Sequence, residues 1–143
     1  MNLSKNIKIT KVKAGQSTAT TEVVSDVVDM QGYEGVIFIT TIGSANAGNY
    51  LKSKQDKVIG MSGAVDLAGK KIVATAANQV VWLDIYKPTE RYLTANIIRA
   101  GATTVTGDIY AIQYEGNKFP ESNVITDVIL GELLISPDEL AVT

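Results

Sequence analysis

The sequence contains no cysteine and no histidine, and each absence excludes a class of chemistry. Without cysteine the chain has no disulfide and no thiolate for a metal ion, which suits assembly in a reducing cytoplasm. Without histidine it lacks the commonest general base, the usual partner of a serine nucleophile and a favoured zinc ligand. We therefore expect a protein that is not an enzyme and that carries no metal or other cofactor.

Strong charge imbalance and long apolar runs are also missing. The net charge is −2 and the pI about 5.1, which argues against a nucleic-acid partner because binding phosphates needs a basic surface. The longest apolar runs have four residues, too few to span a membrane. The N-terminal Met-Asn-Leu-Ser-Lys is not followed by an apolar region, so we expect no signal peptide.

What the sequence does have is a large share of β-branched residues. Val, Ile and Thr make up 44 of the 143 residues, and these side chains favour strands. This length fits one domain. The apolar fraction of 45% and the mean hydropathy of +0.12 are high for a small β monomer. The composition thus predicts an all-β single domain with an oligomeric or assembly surface.

Residues 80–101 are predicted to be the centre of the core. They suggest two strands, 80–86 and 91–99, that form a hairpin because Pro88 favours a turn between them. Three apolar side chains of the first strand share one face: Val81, Leu83 and Ile85. Trp82, Asp84 and Tyr86 point the other way. Since this stretch holds the only Trp and two of the six Tyr, we expect the hairpin to be the centre of the core.

Other segments are predicted as follows. Residues 7–12 form a first strand, 14–21 a loop or flexible connection, and 60–69 a glycine-rich connection. Residues 50–58 are an edge strand whose lysines discourage stray pairing. Residues 104–114 form the last long strand, with a bulge at Gly107.

Several patterns resemble functional sites but have simpler interpretations. Asp26 with Asp29, and Asp84 with Glu90, could be paired carboxylates, yet solvated charges on strands and turns explain them. Residues 63–71 have five residues between their glycines instead of the four of a phosphate-binding loop, so we interpret them as a turn. The aromatic residues could line a sugar site, although in a small β protein they more often pack the core.

The C-terminal segment is unusually apolar. We divide the chain into a β-sandwich domain, residues 1–120, and a C-terminal arm, residues 121–143, with one helical turn predicted at 136–139. Eight large aliphatic side chains of the arm are candidate interface residues: Val124, Ile125, Val128, Ile129, Leu130, Leu133, Leu134 and Ile135. We expect the arm to pair with a neighbouring subunit or to lie on another partner. The alternative is that it folds back as the last strand of its own sandwich.

Three stretches carry a family resemblance. Residues 28–40, 83–101 and 106–120 read VDMQGYEGVIFIT, LDIYKPTERYLTANIIRAG and TGDIYAIQYEGNKFP. The Asp-Met-Gln-Gly entry at 29–32, the Lys-Pro-x-x-Arg-Tyr turn at 87–92 and the Ala-Ile-Gln-Tyr strand ahead of Pro120 are their most specific features. Between about residues 6 and 120 the chain resembles small virion proteins of tailed bacteriophages, of the head decoration or cement type.

This resemblance implies a fold and a function. Related head decoration proteins are jelly-roll-like β-sandwiches that form dimers or trimers and bind the outer capsid surface. It therefore implies a structural protein, assembled in the host cytoplasm, whose partner is the major capsid protein and whose place is the virion. The alternative function is a glycan- or receptor-binding module of a head fibre or tail spike.

Overall fold

The computed structural model describes residues 2–118, 120–123 and 125–135. These residues contain one turn of 3₁₀-helix at Leu3–Lys5 and eleven strands. The strands are β1 (Ile7–Lys13), β2 (Gln16–Ala19), β3 (Val23–Val24), β4 (Val28–Asp29), β5 (Gly35–Ile42), β6 (Asn49–Asp56), β7 (Val65–Val73), β8 (Gln79–Tyr86), β9 (Tyr92–Arg99), β10 (Thr104–Thr106) and β11 (Ile109–Tyr114). No helix in the described part of the chain is long and apolar enough to cross a membrane.

The strands form two antiparallel sheets with four strand positions each. In sheet A the order is β1 with β2, then β11 with β10, then β5, then β8. In sheet B it is β3 with β4, then β9, then β6, then β7. The chain changes sheet at every connection between these positions except the β6–β7 hairpin. This is the strand order of a jelly roll, so the predicted all-β sandwich is confirmed.

The core lies between the inner faces of the sheets. Phe38 and Ile42 from sheet A, and Leu51, Leu93 and Ile97 from sheet B, are fully buried. The predicted inward face of β8 is confirmed, since its three apolar residues are at most 9% exposed. The alternation of β8 therefore supplies one wall of the core.

The predicted hairpin between residues 80–86 and 91–99 is wrong. In the described structure β8 pairs with β5, in sheet A, whereas β9 pairs with β3, β4 and β6, in sheet B. The segment around Pro88 carries the chain from one sheet to the other, and the two strands face each other across the core. A proline turn signals only that the chain changes direction and does not determine which strand it pairs with.

Two predictions about sheet B are also wrong. The segment predicted as an edge strand contains β6, which lies between β9 and β7. The edge is instead β7, which includes much of the predicted connection at 60–69 and of the turn at 63–71. The lysines of β6 alternate with buried side chains, and Lys52 Nζ lies 3.1 Å from Asp66 Oδ2 of β7. They lie on the outer face of the sheet and do not mark an edge.

The predicted loop at 14–21 contains a strand, β2, because a buried arginine holds it. Arg99 is 3% exposed. Its guanidinium donates to the carbonyl oxygens of Ser17, Thr21 and Thr104 at 2.7–2.9 Å, and to Thr21 Oγ1 at 3.0 Å. The side chain of Arg99 thus orders a small, polar segment whose own sequence has little strand character.

The two arginines of the chain provide a matched test of this buried contact. Arg99→Met keeps an aliphatic side chain but leaves buried carbonyls without donors, so we expect the unfolding free energy to fall by about 3 kcal/mol or more. Arg91 binds Asp29 at 2.8 Å with both side chains more than 40% exposed. Arg91→Met should therefore cost less than about 1 kcal/mol. Equal losses in urea denaturation would contradict the role of Arg99.

Neighbouring valines test the orientation of β8. Val81 is 4% exposed and Val80 is 62% exposed. We expect Val81→Ala to lower the unfolding free energy by about 2 kcal/mol, from lost burial of two carbons and a residual cavity. Val80→Ala should change it by less than about 0.5 kcal/mol. Urea denaturation at low protein concentration measures both, and the reverse order would mean that β8 is turned over.

Candidate functional site

The outer face of sheet A is apolar and aromatic where a solvent-facing sheet is usually polar. Since alternate residues of β8 point into the core, the others point outward. Val80, Trp82 and Tyr86 are accordingly 62%, 57% and 54% exposed. The predicted alternation of this strand is confirmed, whereas the general interpretation that aromatic residues pack the core is wrong for Trp82 and Tyr86.

The strand register joins these residues to apolar neighbours. Ile39 of β5 lies opposite Trp82 on one side and Tyr110 on the other. Ile112 of β11 lies between Ile37 and Ile9. Apolar side chains therefore cross all four strand positions of sheet A. We call this surface the apolar face, and its residues are Ile9, Ile37, Ile39, Val80, Trp82, Tyr86, Tyr110, Ile112 and Tyr114.

A glycine allows two tyrosine rings of the apolar face to meet. Gly35 of β5 lies between Tyr86 and Tyr114, and a Cβ at this position would overlap the Tyr114 ring. Without that Cβ the two rings stack, with centroids 6.2 Å apart and planes within 2°. The rings thereby form a continuous aromatic surface across β5.

Both tyrosine hydroxyls at this end act as hydrogen-bond donors. The Tyr86 hydroxyl donates to Glu115 Oε2 at 3.0 Å, and the Tyr114 hydroxyl donates to Asp84. The hydrogen bond to Glu115 raises the pKa of Tyr86, and burial together with Asp84 raises the pKa of Tyr114. Both therefore remain neutral at physiological pH.

Charged groups lie at another border of the apolar face. Lys11 Nζ is 3.3 Å from Asp108 Oδ2, which also accepts from the Tyr110 hydroxyl at 3.2 Å. The amide of Gly15 donates to Asp108 Oδ1 at 2.7 Å, and this bond lowers the pKa of Asp108. A cavity of about 350 Å³, lined partly by Ile39 and Tyr110, lies beside this group. The site is thus mainly apolar and aromatic, with the Lys11–Asp108 pair at its border and one carboxylate, Asp84, on β8 between Trp82 and Tyr86.

The described part of the C-terminal arm is also apolar and exposed. Residues 125–135 belong to neither sheet. Ile125, Val128, Leu130, Leu134 and Ile135 are 58–81% exposed, whereas Ile129 and Leu133 are half-buried. The remaining candidate, Val124, and the predicted turn at 136–139 lie outside the described residues.

Asn123 attaches the base of the arm to the β1 edge of sheet A. Its Oδ1 accepts from the amide of Ile9, and its Nδ2 donates to the carbonyls of Ser4 and Ile7, all at 2.9 Å. One side-chain amide thereby replaces the peptide group that a further strand would offer to β1. Beyond it, the Thr126 hydroxyl accepts from the amide of Ile129 at 3.1 Å and closes a turn.

The segments that carry the family resemblance meet at one end of the sandwich. Three backbone hydrogen bonds of 2.6–2.8 Å connect them. The amide of Met30 donates to the carbonyl oxygen of Arg91, the amide of Lys87 to that of Glu34, and the amide of Asn117 to that of Gly32. These contacts join the β4–β5 loop to the β8–β9 loop and to the chain after β11. The motifs are therefore structural, as their strand-and-turn character predicts.

Two of the four acidic residues considered as catalytic candidates have side-chain partners here. Arg91 donates two hydrogen bonds of 2.8 Å to Asp29 and lowers its pKa, and Asp84 accepts from Tyr114. Burial, with Glu121 nearby, raises the pKa of Tyr33 to about 12. The described residues contain no group of three or more acidic side chains placed to hold a metal ion.

No protein-family model matches the sequence, and no curated protein matches it either. Among solved structures, the chain is similar to the SPBc2 prophage-derived protein YomS, with 9% identity, a TM-score of 0.43, and coverage of 75% of this chain and 93% of that chain. It is also similar to a protein of the disulfide-linked pili that form Bacillus endospore appendages, with 19% identity, a TM-score of 0.40, and coverage of 80% and 92%. Both TM-scores are below 0.5, so function is argued below from the residues of this chain.

The base of the arm provides a prediction. Asn123→Ala removes the acceptor of the Ile9 amide, so hydrogen exchange at Ile9 should accelerate at least about tenfold as this edge opens. The variant loses three hydrogen bonds, each worth about 0.5–1.5 kcal/mol net, so we expect a stability loss of about 2 kcal/mol. The control is Asn117→Ala, because the Asn117 side chain makes no hydrogen bond within the described residues. Unchanged exchange at Ile9 in Asn123→Ala would contradict the attachment.

Proposed function

We propose that this chain is a structural protein of a bacteriophage virion that decorates and stabilises the capsid shell by binding the major capsid protein. The observation that carries this proposal is the apolar face, with Val80, Trp82 and Tyr86 more than half exposed. The largest apolar patch of a soluble monomer is typically about 300–600 Å² and is often a functional surface. Each Å² that a partner covers contributes about 25 cal/mol.

The sandwich suits this task because it presents the face rigidly. The face lies on four hydrogen-bonded strand positions backed by a fully buried core. Little conformational entropy is therefore lost when a partner covers it. Jelly rolls occur among viral capsid and lectin domains, which supports the proposal by analogy. The family resemblance also supports it, through residues at the end of the sandwich and through the Ala-Ile-Gln-Tyr strand, which contributes Ile112 and Tyr114 to the face.

Copy number and binding to heads test the proposal. We expect virions purified from the source phage to hold copies in proportion to capsid hexamers or symmetry axes, as measured by mass spectrometry. Purified protein should bind heads that lack it, and Val80→Asp should weaken this binding at least about tenfold by placing a charge on the apolar face. The control is Val65→Asp on the β7 edge of sheet B, a valine that is 57% exposed. A few copies per virion, or heads that do not bind, would contradict decoration.

A second candidate function is recognition of a surface glycan or receptor by a head fibre or tail spike. The exposed rings of Trp82, Tyr86 and Tyr110 favour it, because sugars stack on such rings and carboxylates lie beside them. This function predicts a low copy number. It also predicts that Trp82→Ala abolishes binding to host cells while attachment to the virion is unchanged.

A further inference from the structure

We propose, building on the assembly role above, that the C-terminal arm of one copy lies on the apolar face of a second copy. Each chain has both surfaces, and the described part of its own arm, residues 125–135, leaves its own face open. Val80 and Trp82 remain 62% and 57% exposed, while Leu130 and Ile135 of the arm are 81% and 75% exposed. Two exposed apolar surfaces in the same chain, present in equal numbers, can partly cover each other by reciprocal exchange. The arm and the part of the face that it leaves uncovered then form the surface offered to the major capsid protein.

The arm begins beside the face. Asn123 holds its base against the β1 edge, where Ile9 is the outermost residue of the apolar face. A cavity of about 340 Å³ separates β1 from the arm and is lined by Ile9, Asn123, Val128 and Ile129 among others. A second copy that approaches this side of the molecule therefore meets the face and the arm together.

The arm is long enough to cover the face. Residues 126–135, when extended, reach roughly 33 Å at about 3.3 Å per residue. The four strand positions span about 14 Å across, and an eight-residue strand is about 26 Å long. The arm can therefore leave its own β1 edge and cross, or run along, the face of a neighbour.

The extent of the face also favours an arm over simple face-to-face packing. Its footprint is roughly 370 Å² from these dimensions, whereas a stable interface buries about 800 Å² on each partner. If each copy lays its arm on the other copy, the two arms add apolar contact area to the area of the two faces. An extended arm would be apolar on both of its sides, because aliphatic residues occur at odd and at even positions. Ile129 and Leu133 would then lie on one side, and Leu130 and Leu134 on the other.

Single-cysteine variants test the contact directly, since the natural chain has no cysteine. We mix Val80→Cys with a larger, tagged Leu134→Cys protein under mild oxidation. The expected result is a disulfide-linked heterodimer at least about fivefold more abundant than in a mixture of Val65→Cys with Leu134→Cys. In the double variant Val80→Cys/Leu134→Cys the disulfide should form between chains. A disulfide within one chain, or equal linkage of the control, would overturn the proposal.

Trp82 gives a second readout in the unlinked protein, because it is the only tryptophan. As protein concentration rises and the copies associate, its emission should shift to the blue and its quenching by acrylamide should fall at least about twofold as the ring is covered. Leu130→Asp should abolish both changes. The control Val58→Asp, in the β6–β7 loop and 43% exposed, should retain them.

The outcomes separate this inference from decoration. If the chain binds heads but Trp82 stays open to acrylamide at every concentration, or if Leu130→Asp still associates, arm exchange is wrong and decoration stands. If the cross-links and the Trp82 shift are seen but heads do not bind, arm exchange stands and decoration is wrong.

Discussion

The contact between the inner faces of the two sheets is the constraint on which the rest of the structure depends. Phe38 lies opposite Leu83 within sheet A, and both point toward Leu93 and Ile97 of sheet B. Because most connections cross from one sheet to the other, each must bridge about 10 Å between layers. Such loops have no ladder of their own, so buried polar side chains hold them.

Arg99 is the clearest of these polar supports. Asn49 acts in the same way, and Asp56 supports the β6–β7 hairpin loop within sheet B. Asn49 accepts from the amide of Ala102 and donates to the carbonyl of Ser44, and Asp56 accepts from the amide of Gly63. Each is at most 6% exposed. The apolar layer thus fixes the sheets, and single polar side chains fix the loops that join them.

How much could be predicted from sequence follows from this division. The alternation in β8 predicted its buried face because side-chain period is a local property. The partner of β8 could not be predicted, since a turn at Pro88 looks the same whether the next strand pairs beside it or crosses to the other sheet. Strand β2 was missed because its order comes from Arg99, about 80 residues away in sequence.

For the candidate site, composition alone identified the exposed arm. The apolar face was missed because the sequence does not show whether the second face of β8 is covered. Trp82 and Tyr86 fit a strand that is buried on both faces as well as one that is exposed on one face.

The edges of the sheets differ in how open they are to pairing with another chain. The β1 edge is occupied by Asn123 and bulged between Lys11 and Lys13. The β3 and β4 edge consists of two strands of two residues each, and β7 shifts register opposite β6, with Gly69 at a φ of +67°. Short, bulged or occupied edges pair poorly with other chains. Among the described strands, β8 alone is an edge of eight residues in unbroken register, and it borders the apolar face. Protection of three edges therefore leaves one side of sheet A where backbone pairing and apolar burial can occur together, and the arm begins at the opposite margin of that same sheet.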